Sequence, residues 1–91
     1  MVVLFRHGKA TVATPDTNIT RIEMREYEHS ASLSLWLADD KEFYFSLYGE
    51  LNSVRRQFTE LVKAMAHRDS SLVNLTWMES GTPDEALFNG I

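Results

Sequence analysis

The chain contains no cysteine, and that single absence excludes a disulfide scaffold, a thiolate zinc site, an iron–sulfur cluster and a cysteine nucleophile. A reducing, cytoplasmic setting is the simplest home for such a chain. Long apolar runs are missing as well. The run from Met1 stops at Arg6, short of the ~7–15 residues of a signal-peptide core, and no stretch approaches the ~20 apolar residues of a membrane span. Neither export by that route nor a place in the membrane is expected. Proline is confined to Pro15 and Pro83, and glycine to four positions. No Gly-, Ser- or Pro-rich linker, internal repeat or low-complexity tract therefore divides the chain, and residues 1–91 are expected to form a single α+β domain.

An excess of positive charge is also lacking. Nine Lys and Arg stand against thirteen Asp and Glu, for a net charge of −4, the wrong sign for a protein held to phosphate backbones by charge. The acidity is too mild and too mixed with Arg and Lys for a DNA mimic, which needs runs of like charge. What is present in quantity is apolar: 44% of residues are hydrophobic, and Phe, Ile, Leu and Val number 24 of 91. That is above the content below which chains stay disordered, so the sequence is expected to fold, with the usual marginal stability of roughly 5–13 kcal/mol.

Periodicity supplies the elements. Val2 to Arg6 and Lys9 to Thr14 flank His7-Gly8, which reads as a two-residue hairpin turn opposing Phe5 to Ala10 and Val3 to Val12. From Ala31 to Leu37 apolar residues hold the odd positions, with Ser32, Ser34 and Trp36 between them. Phe43, Phe45 and Leu47 repeat the pattern, with Tyr44, Ser46 and Tyr48 on the other face. A three-residue loop at Asp39 to Lys41 then pairs Leu37 with Phe43, Leu35 with Phe45 and Leu33 with Leu47 inside, and Trp36 with Tyr44 outside. A third strand is expected over Ile19 to Glu28, turning at His29-Ser30. That turn opposes Ile22 and Met24 to Leu37 and Leu35 and sends Arg21, Glu23, Arg25 and Tyr27 to the outer face.

Leu51, Val54, Phe58, Leu61, Val62 and Met65 fall on one stripe of an amphipathic helix. Its other face is charged, with a basic excess from Arg55, Arg56, Lys63 and Arg68. Val73, Leu75 and Trp77 alternate with Asn74 and Thr76 and predict a final strand. Thr82-Pro83-Asp84-Glu85 has the capping-box form with Pro at the first helical position, predicting a short C-terminal helix that ends near Asn89-Gly90. The fold class is thus α+β: a mainly antiparallel meander sheet, one long amphipathic helix packed on one face, and a short helix at the C-terminal end.

Leu4-Phe5-Arg6-His7-Gly8-Lys9-Ala10 resembles the Arg-His-Gly signature at the first strand end of the histidine phosphatase, or phosphoglycerate mutase-like, superfamily. The resemblance implies His7 as phosphoryl-accepting nucleophile and Arg6 as phosphate ligand. It spans seven residues only. The family's later Arg and second His lie on a larger α/β scaffold, and the surroundings of Arg55 and His67 lack its flanking patterns. Elsewhere, Glu23, Glu26, Glu28 and His29 do not converge on an extended strand, and Asp39, Asp40 and Glu42 read as a charged turn, so no metal site is expected. No Gly-rich phosphate loop, Ser/His/Asp triad or dinucleotide fingerprint can be assembled, and no cofactor or catalytic residue is assigned.

What remains is the outer face of the sheet. The expected registers gather Tyr27, Trp36, Tyr44 and Tyr48 beside Arg21 and Arg25 among small serines. Trp, Tyr and Arg are the residues most enriched in interface hot spots, being large, stiff and able to bury area while keeping a polar handle. Two arrangements stay open: an exposed docking surface, or a second core layer covered by the N-terminal hairpin or the Trp77 segment. The expected function is a non-enzymatic protein-binding module of inhibitor, immunity or accessory type, such as phages and mobile elements encode. It would act on another protein or self-associate as a homodimer through the same face. Two alternatives are a sheet that stacks single-stranded nucleic acid, with Arg21 and Arg25 on phosphates, and phosphoryl transfer at Arg6-His7-Gly8.

Overall fold

A computed structural model of the chain describes residues 1–38, 44–67 and 72–81. Its central element is strand β4 (Ser30–Leu37), flanked by β3 (Ile19–Glu26) and β5 (Tyr44–Glu50). Both pairings are antiparallel, so the three strands form the expected meander. On β4 the odd side chains Ala31, Leu33 and Leu35 are fully buried. A strand with one such face has little freedom of register, because a one-residue slip would turn three apolar side chains to water, at roughly 1.5–3 kcal/mol for each leucine. The β4–β5 register is accordingly the one that alternation predicts: Leu33 opposes Leu47, Leu35 opposes Phe45 and Trp36 opposes Tyr44. The expected Leu37–Phe43 pair and the Asp39 to Lys41 loop lie outside the described residues.

The other two hairpins depart from expectation by two residues each, which preserves the faces. In β3–β4, Ile22 opposes Leu35 and Met24 opposes Leu33, and the two-residue loop is Glu28-His29, closed by Tyr27 N–H donating to the Ser30 carbonyl at 2.8 Å. A bulge between Ile19 and Arg21 adds a separate departure at the far end of the strand. Ile19 opposes Leu37 and is buried, yet Arg21 opposes Trp36 on the outer face, so two positions of equal parity face opposite ways. In the N-terminal hairpin, β1 (Val2–His7) and β2 (Ala10–Pro15) pair Phe5 with Val12 and Val3 with Thr14. The loop is Gly8-Lys9 rather than His7-Gly8. Gly8 has φ 61°, and placing it first in the loop meets the positive φ that both favoured hairpin turns require there.

Helix α1 (Leu51–Ala66) follows β5 without an intervening loop. Glu50, the last strand residue, is its N-cap: one carboxylate oxygen accepts from Asn52 N–H at 3.0 Å, the other from Ser53 N–H at 2.9 Å. Val54 and Leu61 are fully buried, with Leu51, Phe58 and Met65 packed beside them. Val62, expected in the stripe, lies on its flank and is 42% exposed. The final-strand expectation holds only for β6 (Leu72–Asn74), which lies parallel to β1, so that β2, β1 and β6 make a second sheet. Leu75 N–H still bonds to the Leu4 carbonyl, and then the chain turns, burying Leu75 and Met78 before β7 (Glu79–Ser80) pairs with β5. The expected helix after Thr82 lies outside the described residues.

The architecture is α+β. The helix and the second sheet share one side of the meander, and a single apolar cluster joins Val3 and Phe5 from β1, Leu33 and Leu35 from β4, Leu47 from β5, Val54 and Leu61 from α1, and Leu75 and Met78. Trp77 lies on that side too. Its ring occupies the space above Gly49, where an added Cβ would meet the ring at 2.9 Å and Val54 Cγ2 at 3.2 Å, and its indole N–H donates to Gln57 at 3.3 Å. Across the helix surface, Arg55 grips Glu26 at the end of β3 through one guanidinium edge, Nε and Nη2 each donating to a carboxylate oxygen, so part of the expected basic strip is already neutralised.

Two expectations for stability follow from these contacts. Gly49→Ala should destabilise by about 1–3 kcal/mol in urea titration, because both neighbours are core groups that must shift. The second concerns acid. The Arg55 guanidinium holds the Glu26 carboxyl below its ordinary value of 4.5, and the backbone N–H groups of Asn52 and Ser53, with the Ser53 hydroxyl, do the same for Glu50. A carboxylate depressed on folding stabilises above its ordinary pKa, and that contribution is lost as pH falls through the depressed value. Urea midpoints should therefore drop as pH falls below about 4.5, the ordinary value for both carboxyls. Glu26→Gln and Glu50→Gln should each flatten that decline while lowering the midpoint at pH 7.

Candidate functional site

Because the helix and the second sheet occupy one side of the meander, the even residues of β4 and β5 are left on the other. The N-terminal hairpin does not cover them: Phe5 packs against Phe45 on the core side, with ring centroids 5.0 Å apart. The Trp77 segment does not either, since its ring sits over Gly49 and Val54. Of the two arrangements left open by the sequence, the second core layer is thus absent among the described residues. Tyr44 is 48% exposed, and the side chains of Arg21 and Arg25 are 64% and 69% exposed.

Three strands contribute one residue each to a stack across this face. Trp36 stands on β4, with its cross-strand partners Arg21 on β3 and Tyr44 on β5. The Tyr44 ring lies against Trp36 with centroids 4.7 Å apart and planes 28° apart, and the Arg21 guanidinium carbon lies 4.7 Å from the Trp36 ring centre. Since β4 runs between β3 and β5, the two neighbours approach from opposite sides. Both π faces of Trp36 are therefore engaged, one by a cation and one by an offset ring. Thr20, displaced at the bulge, donates its hydroxyl to the Trp36 carbonyl at 3.2 Å and fixes the strand end that carries Arg21.

Beside this stack lies an open groove of about 260 Å³, lined by Glu23, Arg25 and Tyr27 from the β3 side, Ser32, Ser34 and Trp36 from β4, and Tyr44 and Ser46 from β5. The serines make its floor: Ser34 opposes Ser46, a pair of small side chains, and Ser32 stands between Arg25 and Tyr48. Glu23 sits between the two cations, accepting from Arg21 at 2.6 Å and lying 3.5 Å from Arg25. Two cations thus flank one carboxylate beside the groove, and Glu79 shares the face farther along, opposite Tyr48.

Of the residues singled out in the sequence, Tyr27, Trp36, Tyr44 and Arg25 line the groove, and Arg21 backs Trp36. Tyr48 shares the face by register, opposite Ser32 and Glu79, but does not line the groove. Sequence reasoning missed the part played by Glu23 as the link between the arginines. The signal was available, since Arg21, Glu23 and Arg25 alternate on one strand face.

The other candidate sites fare differently. Arg6 and His7 are successive residues of one strand, so their side chains leave opposite faces of the second sheet. His7 packs edge-on against Phe45 at 5.0 Å, and Gly8 N–H donates to Ser80 Oγ at 3.1 Å. A phosphoryl-accepting histidine needs convergent donors for the phosphoryl oxygens, and this local geometry separates the two groups that would provide them. Among the described residues, no three of His, Asp and Glu stand close enough to hold a metal ion, and no helix is long and apolar enough to cross a membrane. Compared with known protein families, curated proteins and solved structures, the chain matches none.

Proposed function

We propose that this protein is a non-enzymatic binding module that occupies the surface of another protein with the outer face of its meander sheet. The observation that carries the reading is the Arg21–Trp36–Tyr44 stack, set on a face that neither the helix nor the second sheet covers. Exposed aromatics held in one conformation lose little entropy on binding, and Trp, Tyr and Arg are the side chains that most often dominate interface energies. The groove beside them accepts a protruding segment of the partner, with Arg25, Tyr27 and the serine hydroxyls offering hydrogen bonds. Inhibitor, immunity and accessory proteins of phages and mobile elements are of this type, small chains that act by covering a surface. A homodimer would use the same face.

The competing readings have less support. Nucleobase stacking on Trp36 would have to displace Arg21 or Tyr44 from its ring, and the net charge of −4 opposes a phosphate backbone. Phosphoryl transfer needs Arg6 and His7 to converge.

The test is affinity capture with the full chain, comparing wild type with a Trp36→Ala/Tyr44→Ala variant. Tyr44 is half exposed and Trp36 lies off the main cluster, so the variant is expected to stay folded by circular dichroism, with Tm lowered by no more than several degrees. It should lose a protein that the wild type retains, and Arg21→Glu should weaken the same retention. A folded double variant that retains the same protein as strongly as wild type overturns the reading. Retention of single-stranded oligonucleotide, or phosphatase turnover abolished in His7→Ala, replaces it with one of the alternatives.

A further inference from the structure

We propose that strand β2 presents a self-complementary edge, through which two copies of this chain pair antiparallel across a twofold axis and join their three-stranded second sheets into one. A second copy has two surfaces to choose from, the aromatic face of the meander and this edge, and the edge is the one that matches itself.

Hydrogen-bond parity decides which backbone groups the edge exposes. β2 ends the sheet ordered β2-β1-β6, and among the described residues no strand pairs with its outer side. Antiparallel partners alternate between pairs that exchange both hydrogen bonds and pairs that exchange none. Asp16 N–H donates to the Met1 carbonyl at 3.0 Å, whereas the Leu4 carbonyl turns the other way and accepts from Leu75 N–H at 2.7 Å. Val3–Thr14 and Phe5–Val12 are therefore the bonded pairs, and Leu4–Ala13 and Arg6–Thr11 the unbonded ones. The N–H and C=O groups of Thr11 and Ala13 thus project from the free edge. Pro15 has the same parity and no N–H to leave there, the position in which an edge strand tolerates proline.

Self-complementarity follows from that spacing. A second β2 laid antiparallel, with the two Val12 residues opposed, brings Thr11 of each copy opposite Ala13 of the other. Both of those pairs can exchange both bonds, and the Val12 side chains add a β-branched pair at the axis. The same register carries Lys9 of each copy to the strand end that holds Asp16 of the other, whose carboxylate it would share with the Met1 ammonium. No charge stands in the way, since Ala10–Pro15 contains none, and Thr11 and Ala13 are exposed. The β3 edge differs on each point, with its bulge and its series Arg21, Glu23 and Arg25. A seam of one short strand against another buries less than the ~1,200 Å² of a standard interface, so association is expected at roughly 10–1,000 μM.

Sedimentation and amide hydrogen exchange of the wild-type chain, from about 10 μM to about 1 mM, test the seam. The Thr11 and Ala13 amides should slow as dimer forms. Those of Ile22 and Met24 should not change; they project from the β3 edge, because Tyr27 N–H, of the other parity, bonds to the Ser30 carbonyl on β4. Two variants, checked for folding by circular dichroism, then test the register. Thr11→Lys/Ala13→Lys sets like charges opposite one another twice and should weaken association roughly tenfold, whereas Thr11→Lys/Ala13→Glu sets opposite charges there and should strengthen it. A wild-type chain that stays monomeric throughout overturns the proposal, as does a dimer whose Thr11 and Ala13 amides exchange as fast as in the monomer. Equal association of the two variants overturns the register. A dimer lost in Trp36→Ala/Tyr44→Ala and indifferent to both β2 variants overturns the proposal in favour of the aromatic face. Capture of a different protein through Trp36 and Tyr44 is read separately, so the docking reading can fail while the seam stands, and the reverse.

Discussion

Burial of one face of β4 is the constraint on which the rest of the molecule depends. Ala31, Leu33 and Leu35 are fully inaccessible, and both neighbouring strands take their register from that strand. Removing either leucine would cost about 2–5 kcal/mol, a large part of the stability of a domain this small. The consequence reaches the far side of the sheet. Once the odd residues are committed to the core, Ser32, Ser34 and Trp36 have nowhere to go but outward, and the same holds for Tyr44 and Ser46 on β5. The candidate site is thus the obligatory reverse of the core, and its side chains are held by the packing beneath them.

What was legible in the sequence follows the same division. Alternation of a few residues sufficed for β4 and β5, because an uninterrupted period of two has only two phases and one of them is ruined by exposure. The helical stripe was legible for a similar reason. The two hairpin registers were missed by two residues because a hairpin's register depends on its loop, and neither His7-Gly8 nor His29-Ser30 proved to be the loop; Gly8-Lys9 and Glu28-His29 are. Alternation cannot detect a shift of two. It was equally blind to the bulge at Ile19 and Arg21, which inverts parity within a strand.

The largest departure lies after the helix. Val73, Leu75 and Trp77 alternate like a strand, yet only Leu72–Asn74 forms one, lying parallel to β1 on the second sheet. Parallel pairing across a long stretch of chain leaves no local trace, and the buried Met78 belongs to no pattern. The candidate site was more legible than the fold around it. Trp36 and Tyr44 come from β4 and β5, where periodicity is clean, and Arg21 faces outward by the same alternation that places Glu23 and Arg25, with the bulge lying beyond it toward Ile19. Whether the face was open could not be read from the sequence, since that depends on which side the second sheet chooses.

The bulge in β3 also shapes the exposed edge of the meander. An eight-residue strand at the edge of a sheet is ordinarily a template on which another extended chain can add itself, the first step of unwanted aggregation. In β3 the ladder is interrupted at Ile19 and Arg21, and the stretch beyond alternates Arg21, Glu23 and Arg25. Both devices discourage addition of a further strand. The molecule can therefore carry aromatic residues on the broad face of its meander while the β3 edge beside them stays unfriendly to an added strand.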